Sequence, residues 1–325
     1  MRDYLERVGT NWKVKKDTLL EKDLLHFLHS TWGTAETIKE HNHRNFFPGP
    51  QPVSIERRHF GLLSSAPYVV CEKTDGVRHV LMATMFGGKK VCVLVNRAFE
   101  MTLLPLTLPK KAYDGSGTII DGELVQSKSK PNKKLFMVYD AVCVGGGDVR
   151  GRTLIERLTI ADREVVSKIM RLEKDQVIVA VKKFYNAKSQ VKQLVEETHF
   201  DYETDGIVFT PVNDPVKIGT HDTMFKWKPL EKNTIDFLVR GGTLYLQEKG
   251  QLFREGELVG EVVNFDEKIV ECQFVEIGKW KPIGVRTDKT YPNSRFTYYR
   301  TLVNIKENIK ISELIVQKSE ETQLN

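Results

Sequence analysis

The sequence is poor in cysteine: four in 325 residues, Cys71, Cys92, Cys143 and Cys272, with no Cys-x-x-Cys pair. That scatter argues against a disulfide framework and against a structural zinc site, and it suits a reducing, intracellular compartment. No apolar run approaches the roughly 20 residues of a membrane-spanning helix, and Met1-Arg2-Asp3 opens no secretory leader. Internal repeats and low-complexity tracts are missing as well, which excludes a solenoid or a largely disordered chain. What remains is an ordinary soluble globular composition, 40% hydrophobic and 28% charged. The length predicts two domains. The net charge of +6 suits a polyanionic ligand without identifying one.

Periodicity places the elements. Residues 14–30 set Leu20, Leu24, Phe27 and Leu28 at helical spacing, predicting an amphipathic opening helix. His41 and His43, in HNH, have no acidic or cysteine partner nearby and read as a solvated loop rather than a metal clamp. A Pro/Gly connection over 46–60 leads to alternating apolar runs from Tyr68 to Leu104, broken by Gly87-Gly88 as in a hairpin. Strands are predicted over 118–126, 134–144, 205–211 and 223–229, and helices over 153–171 and 188–198. Beyond Lys232 come short strands with frequent turns, through IDFLVR, GTLYLQ, QLFREG, IVECQFVEIG and RFTYYRT, which suits a small all-β barrel. A short helix in IKISELIVQKSEE, with Ser312 as N-cap, precedes a polar tail.

Within this scheme polar clusters interrupt core-forming sequence. In YVVCEKTDGVRHVLMAT the flanks are β-branched and apolar, yet Glu72, Lys73, Asp75, Gly76 and Arg78 sit between them. A lysine beside Asp-Gly in a hairpin, as Asp75-Gly76 reads, is by itself an ordinary turn flank. The pattern recurs, however, at Asp121-Gly122-Glu123, at Asp205-Gly206, at Lys226 with Lys228, and at Arg286 with Asp288 and Lys289. Carboxylates and amines at many strand ends point to one site lined from several strands, with metal ligands and phosphate clamps. Lys226 and Lys228 are two apart, so on a strand both face the same way and could grip one phosphate chain.

In chain order KTDG, DGEL, VYDAV, DGIVF, FKWKP and RTDK resemble the covalent nucleotidyltransferase superfamily, which comprises mRNA capping guanylyltransferases and polynucleotide ligases. RTDKTYPNS (286–294) and FKWKPLEKNTIDF (225–237) resemble the capping enzymes rather than the ligases. PGPQPVSIERRHF and RTLVNIKENIKISEL are similar to the compact capping enzymes of chlorella viruses. The resemblance implies an α+β, two-domain covalent nucleotidyltransferase fold with antiparallel sheets. Its parts are a GTP-binding domain over 1–232, an OB-fold barrel over 233–308, and a C-terminal helix over 309–325 packing back on the first domain.

The resemblance also implies an mRNA guanylyltransferase that takes GMP from GTP onto a lysine and passes it to the 5′-diphosphate end of RNA. Lys73 matches the nucleophile. Thr74, Arg78, Arg97, Glu123 and Tyr139 match residues that bind GTP, with Arg78, Arg97 and Glu123 near the ribose and Tyr139 stacked on the purine. Asn96 stands where relatives often carry Asp, so no carboxylate role transfers there. Lys182 or Lys183, of VKKF, matches a lysine that reads guanine O6; Lys182 is the preferred register. Asp205 matches a ligand of Mg²⁺ or Mn²⁺; Lys226 and Lys228 match phosphate clamps, and Asp236, Arg286 and Lys289 match residues that orient the β- and γ-phosphates. The first step then needs closed domains and RNA access needs open ones. The expected protein is a monomer without membrane contact, with RNA triphosphatase and cap methyltransferase supplied by other chains. Two alternatives stand beside it: an ATP-dependent RNA or DNA ligase, which shares the Lys73 chemistry, and a non-catalytic RNA-binding OB protein.

Overall fold

A computed structural model describes the chain except for residues 35–46, 198, 261–262, 288 and 316–325. His41, His43, Asp288 and the polar tail therefore lie outside the described residues. The chain divides into two compact units. The first comprises Met1–Val53, Ala66–Thr204 and Val208–Met224; the second comprises Ser54–Ser65, Asp205–Ile207 and Phe225–Asn325. No helix among the described residues is long and apolar enough to cross a membrane.

Two sheets build most of the first unit. One runs β1 (Leu5–Val8), β2 (Asn11–Val14), β7 (Met101–Leu103), β6 (Lys89–Asn96), β5 (Val77–Phe86), β8 (Thr118–Gln126), β9 (Lys134–Val144) and β10 (Gly147–Asp148), with β11 (Val177–Val181) parallel to β9. The other runs β12 (Tyr185–Asn186), β4 (Tyr68–Thr74), β13 (Thr204–Pro211), β14 (Thr220–Trp227) and β3 (Gln51–Ser54). One face of the first sheet buries Val80, Met82, Val93 and Val95 with helix α1 (Leu19–Trp32). The opposite face buries Leu81, Ala83, Leu94, Ile120 and Val138, which pack with Leu154 and Leu158 of a second helix. This two-sided burial makes β5 and β6 read as nearly continuous apolar runs. Thr18 caps α1 by accepting from the Glu21 N–H, and Gly33 ends it in a left-handed conformation.

The chain passes between the sheets at two points that matter below. Asp75-Gly76 is not a hairpin turn, because β4 and β5 belong to different sheets. The hairpin is the next one, where Gly87-Gly88 joins β5 to β6 in the register Phe86↔Lys89. The second crossing is 182–184, between β11 on β9 and β12 on β4. Strands β1, β2 and β11 are not anticipated by the sequence pattern; β11 is five residues long and lacks the alternation of a half-buried strand. The strands at 118–126 and 134–144 match β8 and β9 end to end.

Helices α2 (Phe60–Ser65), α3 (Leu154–Glu164), α4 (Val191–Glu196), α5 (Arg295–Glu307) and α6 (Ile311–Leu314) complete the set. In the second unit, β15 (Thr234–Arg240), β16 (Thr243–Glu248), β17 (Gln251–Leu258), β19 (Lys279–Val285) and β18 (Ile269–Glu276) pair in that order, and β18 returns to β15 to close the ring. Phe237, Leu244, Leu246, Val270 and Trp280 fill it. RFTYYRT, expected as a strand, opens helix α5 instead: Ser294 accepts from the Thr297 N–H, and Tyr298, Leu302 and Ile305 recur at helical spacing toward the ring core. β-branched and aromatic propensity is overridden there by capping and burial. Ser312 is inside α6 rather than its cap; Lys310 holds that position, and the Glu313 side chain accepts from its backbone N–H.

One buried ion pair anchors β9. Asp140 is 4% exposed and Arg157 of α3 is 2% exposed; Arg157 donates to Asp140 Oδ1 at 2.6 Å and Oδ2 at 2.9 Å. Arg157 also donates to the carbonyls of Arg152 and Asp214. Burial raises the Asp140 pKa, and the guanidinium opposes that rise. Arg157→Met, which strands the carboxylate, is expected to lower the unfolding free energy in urea by about 3–5 kcal/mol. Arg163→Ala, which removes the exposed pair with Glu164, is the control and is expected to leave the urea midpoint where it is in the parent.

Candidate active site

At three Asp-Gly steps, Asp75-Gly76, Asp121-Gly122 and Asp205-Gly206, two backbones come too close for a side chain. A Cβ on Gly76 would meet the Leu124 carbonyl oxygen at 2.6 Å, and one on Gly122 the Met137 carbonyl oxygen at 2.7 Å. A Cβ on Gly206 would fall on the Trp227 carbonyl oxygen, next to Lys228. The glycines let polar residues on either side be held at fixed depth in an otherwise apolar sheet.

Within the first unit, Lys73 is half-buried near the end of β4, between buried Glu72 and buried Thr74. Strand alternation puts Lys73 on one face of β4 and those two neighbours on the other. Lys182 lies at the second inter-sheet crossing, its N–H donating to the Val138 carbonyl. Its amine donates to the Glu72 carbonyl oxygen at 2.9 Å and to Thr74 Oγ1 at 3.1 Å, and lies 3.4 Å from Glu72 Oε1. Thr74 in turn donates to Glu123 Oε2, and the Tyr202 hydroxyl donates to Glu72 Oε1 at 2.9 Å. Lys183 is exposed, ion-paired with Glu197 and set over the Tyr185 ring. The doublet in VKKF is thus divided between a buried and a surface lysine.

A second chain of contacts centres on Asp121, which is fully buried. Arg78 donates to Asp121 Oδ1 at 3.1 Å and also binds Oδ2 and the Pro50 carbonyl. Tyr139 donates to Asp121 Oδ1 at 2.9 Å. Burial by itself lowers the Arg78 pKa, but the charge and hydrogen bond of Asp121, with Tyr139 and Glu123, together outweigh it and hold the guanidinium more firmly cationic than usual. Burial pushes the Tyr139 hydroxyl well above its ordinary pKa. Tyr139 occupies a bulge: Asp121 pairs with Asp140 and Gly122 with Val138, leaving Tyr139 the extra residue. A bulge re-aims the side chain it carries, and here the Arg78 guanidinium lies 5.8 Å from the ring centroid. Arg97 is exposed in the turn after β6; partial desolvation and the neighbouring Arg78 charge lower its pKa. Asn96 shapes that turn, its Oδ1 accepting from the N–H groups of Ala98 and Glu100 at 3.0 Å.

Two clusters belong to the second unit. Lys228 Nζ is 2.5 Å from Oδ2 of buried Asp205. Lys226 and Lys228 are both half-buried, and the Trp227 indole between them donates to the Ile309 carbonyl at 2.8 Å. On the ring, Asp236 is 4% exposed and receives Arg286 Nη1 at 3.1 Å together with the Lys289 amine. Asn293 fixes Asp236 from behind: its N–H donates to the Asp236 carbonyl and its Oδ1 accepts from the Asp236 N–H, each at 2.8 Å.

The structure brings Thr74, Arg78, Glu123, Tyr139 and Lys182 together around the end of β4, and Asp236, Arg286 and Lys289 together on the ring. Motif reasoning assigns no role to Glu72, Asp121, Tyr202 or Asn293. Glu72 and Asp121 are visible in sequence only as charges inside apolar strands. Tyr202 carries no local signal, and Asn293 is legible only as part of the Pro-Asn pair after RTDK.

Gly206→Ala is expected to destabilise the protein by about 1–3 kcal/mol or more, because the added methyl has no room beside the Trp227 carbonyl. Gly284→Ala, with nothing within 4 Å of the new Cβ, is the control and is expected to stay within about 0.5 kcal/mol of the parent in the same denaturant titration.

The catalytic-domain model of the mRNA capping enzyme family matches residues 13–230, and its C-terminal-domain model matches residues 228–315. The mRNA-capping enzyme subunit alpha of Yarrowia lipolytica is 26% identical over 318 residues, covering 83% of this chain and 81% of that protein. The mRNA-capping enzyme of Mus musculus is 28% identical over 275 residues, covering 76% of this chain but 45% of that protein. Among solved structures, mycobacterial DNA ligase D complexed with ATP and MES is similar at 13% identity and a TM-score of 0.44, over 76% of this chain and 96% of that one. With both domain models matched in tandem along it, the chain belongs to the mRNA capping enzyme family and is a nucleotidyltransferase with that family's guanylyltransferase function.

Proposed function

We propose that the reaction runs through Lys73. Its amine attacks the α-phosphorus of GTP, pyrophosphate leaves, and a lysine–GMP phosphoramidate forms; the 5′-diphosphate end of an RNA then displaces the lysine and gives the GpppN cap. The observation that carries this reading is the convergence on β4. Lys73 stands between Glu72 and Thr74: the Lys182 amine donates to the Glu72 backbone carbonyl and to Thr74 Oγ1 and lies 3.4 Å from the Glu72 carboxylate, and Thr74 donates to Glu123.

In this reading Lys182 and Thr74 meet the purine edge and Tyr139, re-aimed by its bulge, stacks on the ring. Glu123, Arg78 and Arg97 hold the ribose side of the nucleotide. Lys226 and Lys228 grip the phosphates, and Arg286 and Lys289, organised by Asp236, orient the β- and γ-phosphates so that pyrophosphate leaves. Asp205 is the protein oxygen assigned to Mg²⁺ or Mn²⁺. Its carboxylate already attracts the Lys228 ammonium, so its position favours positive charge. Among the described residues no three His, Cys, Asp or Glu side chains gather around one point. A single carboxylate supplemented by water and phosphate oxygens suits Mg²⁺, which rarely takes an all-protein cage. Such an ion neutralises phosphate charge as a Lewis acid when bound.

The pairing order of the ring, with β17 and β19 parallel and β18 closing on β15, supports reading it as an OB-fold. The domain limits proposed are 1–232, 233–308 and 309–325. The protein acts as a monomer, and the RNA triphosphatase and cap methyltransferase steps fall to other chains.

The test is label transfer. Protein is mixed with Mg²⁺ and GTP or ATP radioactive in the α-phosphate, then run on a denaturing gel. The expected result is a GTP-dependent, acid-labile and alkali-stable band, absent from Lys73→Ala and chased into RNA bearing a 5′-diphosphate. Labelling by ATP in preference to GTP, or a band that survives Lys73→Ala, overturns the reading.

A further inference from the structure

The buried ion pair of Asp140 and Arg157 has no part in the reaction just proposed, yet it stands one residue from Tyr139. Buried ion pairs add little net stability, and their best attested use is to fix one arrangement over others. Here the arrangement is the bulge that carries Tyr139. We propose that Arg157 is a positioning residue for nucleotide binding: through Asp140 it locks the bulge of β9 and so sets the plane of the Tyr139 ring. This rests on the reading that Tyr139 stacks on the purine.

An extra residue interrupts the β8–β9 ladder between Asp121↔Asp140 and Gly122↔Val138. The sheet's own hydrogen bonds therefore do not fix the direction of the side chain at that point, and other contacts have to. Asp140 supplies the first: its Oδ1 accepts from the Ala141 N–H at 2.7 Å, which binds the carboxylate to the backbone just past the bulge. Arg157 holds the same carboxylate by two donors, Nε on Oδ1 and Nη2 on Oδ2. A two-point contact between planar groups fixes orientation as well as distance. The remaining arm, Nη1, donates to the Arg152 and Asp214 carbonyls at 2.6 and 3.1 Å, so the guanidinium is itself held in place. Helix α3 is held as well. Its cap residue Thr153, one turn before Arg157, exchanges hydrogen bonds with Glu156 in a capping box, and Leu154 and Leu158 bury in the core.

The other end of the ring is tied to β8. The Tyr139 hydroxyl donates to Asp121 Oδ1, and Arg78 binds both oxygens of that carboxylate. Root and tip of the half-buried ring are thus tethered separately, the tip by Asp121 and the root by the Asp140–Arg157 pair. Stacking depends on the mutual orientation of the two rings. A loosened root should therefore cost nucleotide affinity and leave the transfer step alone. A pair that only held α3 to β9 would instead lower stability when broken and leave the affinity of the folded protein as it is.

The experiment measures KM for GTP and kcat for formation of the labelled protein, with urea midpoints alongside. The variants are Arg157→Lys, Arg157→Met combined with Asp140→Asn, Tyr139→Ala, and Tyr139→Ala combined with each of the first two. Tyr139→Ala should raise KM about ten-fold. Arg157→Lys keeps the charge but not the fork; it should raise KM about three- to ten-fold, with kcat within about two-fold of the parent. Arg157→Met with Asp140→Asn strands no charge, so its urea midpoint should lie near the parental one, while its KM rises as in Arg157→Lys. In the Tyr139→Ala background neither change should raise KM further. A folded Arg157→Lys with parental KM overturns the inference, and so does an equal rise in KM with and without the Tyr139 ring. If Arg157→Lys does not fold, Arg157→Met with Asp140→Asn decides, and a parental KM there overturns it. A parental KM in Tyr139→Ala overturns the stacking reading and this inference with it, but leaves Lys73 labelling by GTP standing. Parent protein that takes no label from GTP overturns the function itself, an outcome separate from failure of the variants.

Discussion

Charge cannot stay buried in protein unless it is paired, and that constraint organises every part of this chain that carries chemistry. Asp121 has Arg78 and Tyr139, Glu72 has Lys182 and Tyr202, Asp140 has Arg157, Asp205 has Lys228, and Asp236 has Arg286 and Lys289. Each carboxylate is less than a tenth exposed. The cations and hydroxyls that pair with them are, for the most part, the residues that the proposed reading sets against the nucleotide. Hence the carboxylates work from behind. They fix the direction of the groups they hold, and preorganisation of this kind lets a polar site act without first rearranging itself.

The sheets supply the second half of the arrangement. Because β4 and β5 belong to different sheets, the chain leaves one sheet immediately after Lys73-Thr74 and enters the other at Val77-Arg78. The β11–β12 connection makes the same passage and carries Lys182. Side chains from both sheets can then converge at the seam, which a single hairpin at Asp75-Gly76 would not allow. Gly76 and Gly122 are needed at that seam because their neighbours' carbonyls occupy the space of a Cβ.

Much of this is legible in the sequence. Strong apolar periodicity yields β8 and β9 to the residue and α1, α3 and α4 in outline, and motif order along the chain identifies the residues that gather around β4. The failures have identifiable causes. RFTYYRT looks like a strand because its residues favour strands, but a serine cap and an inward stripe of Tyr298, Leu302 and Ile305 make it a helix. Asp75-Gly76 looks like a hairpin because pairing partners cannot be read from one strand alone. Tyr202 is beyond the reach of any local pattern: its link to Glu72 spans 130 residues and is a product of tertiary packing. Nor does the sequence reveal that Ser54–Ser65 groups with the ring and C-terminal helices, where Arg57 pairs with Glu313 and Asn304 donates to the Ile55 carbonyl.

The ring carboxylate shows what physical form a role taken from resemblance could have. Resemblance groups Asp236 with Arg286 and Lys289 as a residue orienting the outer phosphates. A carboxylate facing phosphate oxygens would repel them, so in the proposed reading Asp236 acts on those phosphates through the cations it holds. Both cations sit on its oxygens, while Asn293 clamps its backbone from two sides. Arg286 is a planar fork of donors and Lys289 carries three N–H groups. In the proposed reading each meets a phosphate while it remains on Asp236. Without the tether, two like charges on a ring surface would separate and lose their common direction. In the proposed reading Asp236 is the post on which the two phosphate-binding cations are mounted, as Asp121 is paired with Arg78 and Glu72 with Lys182.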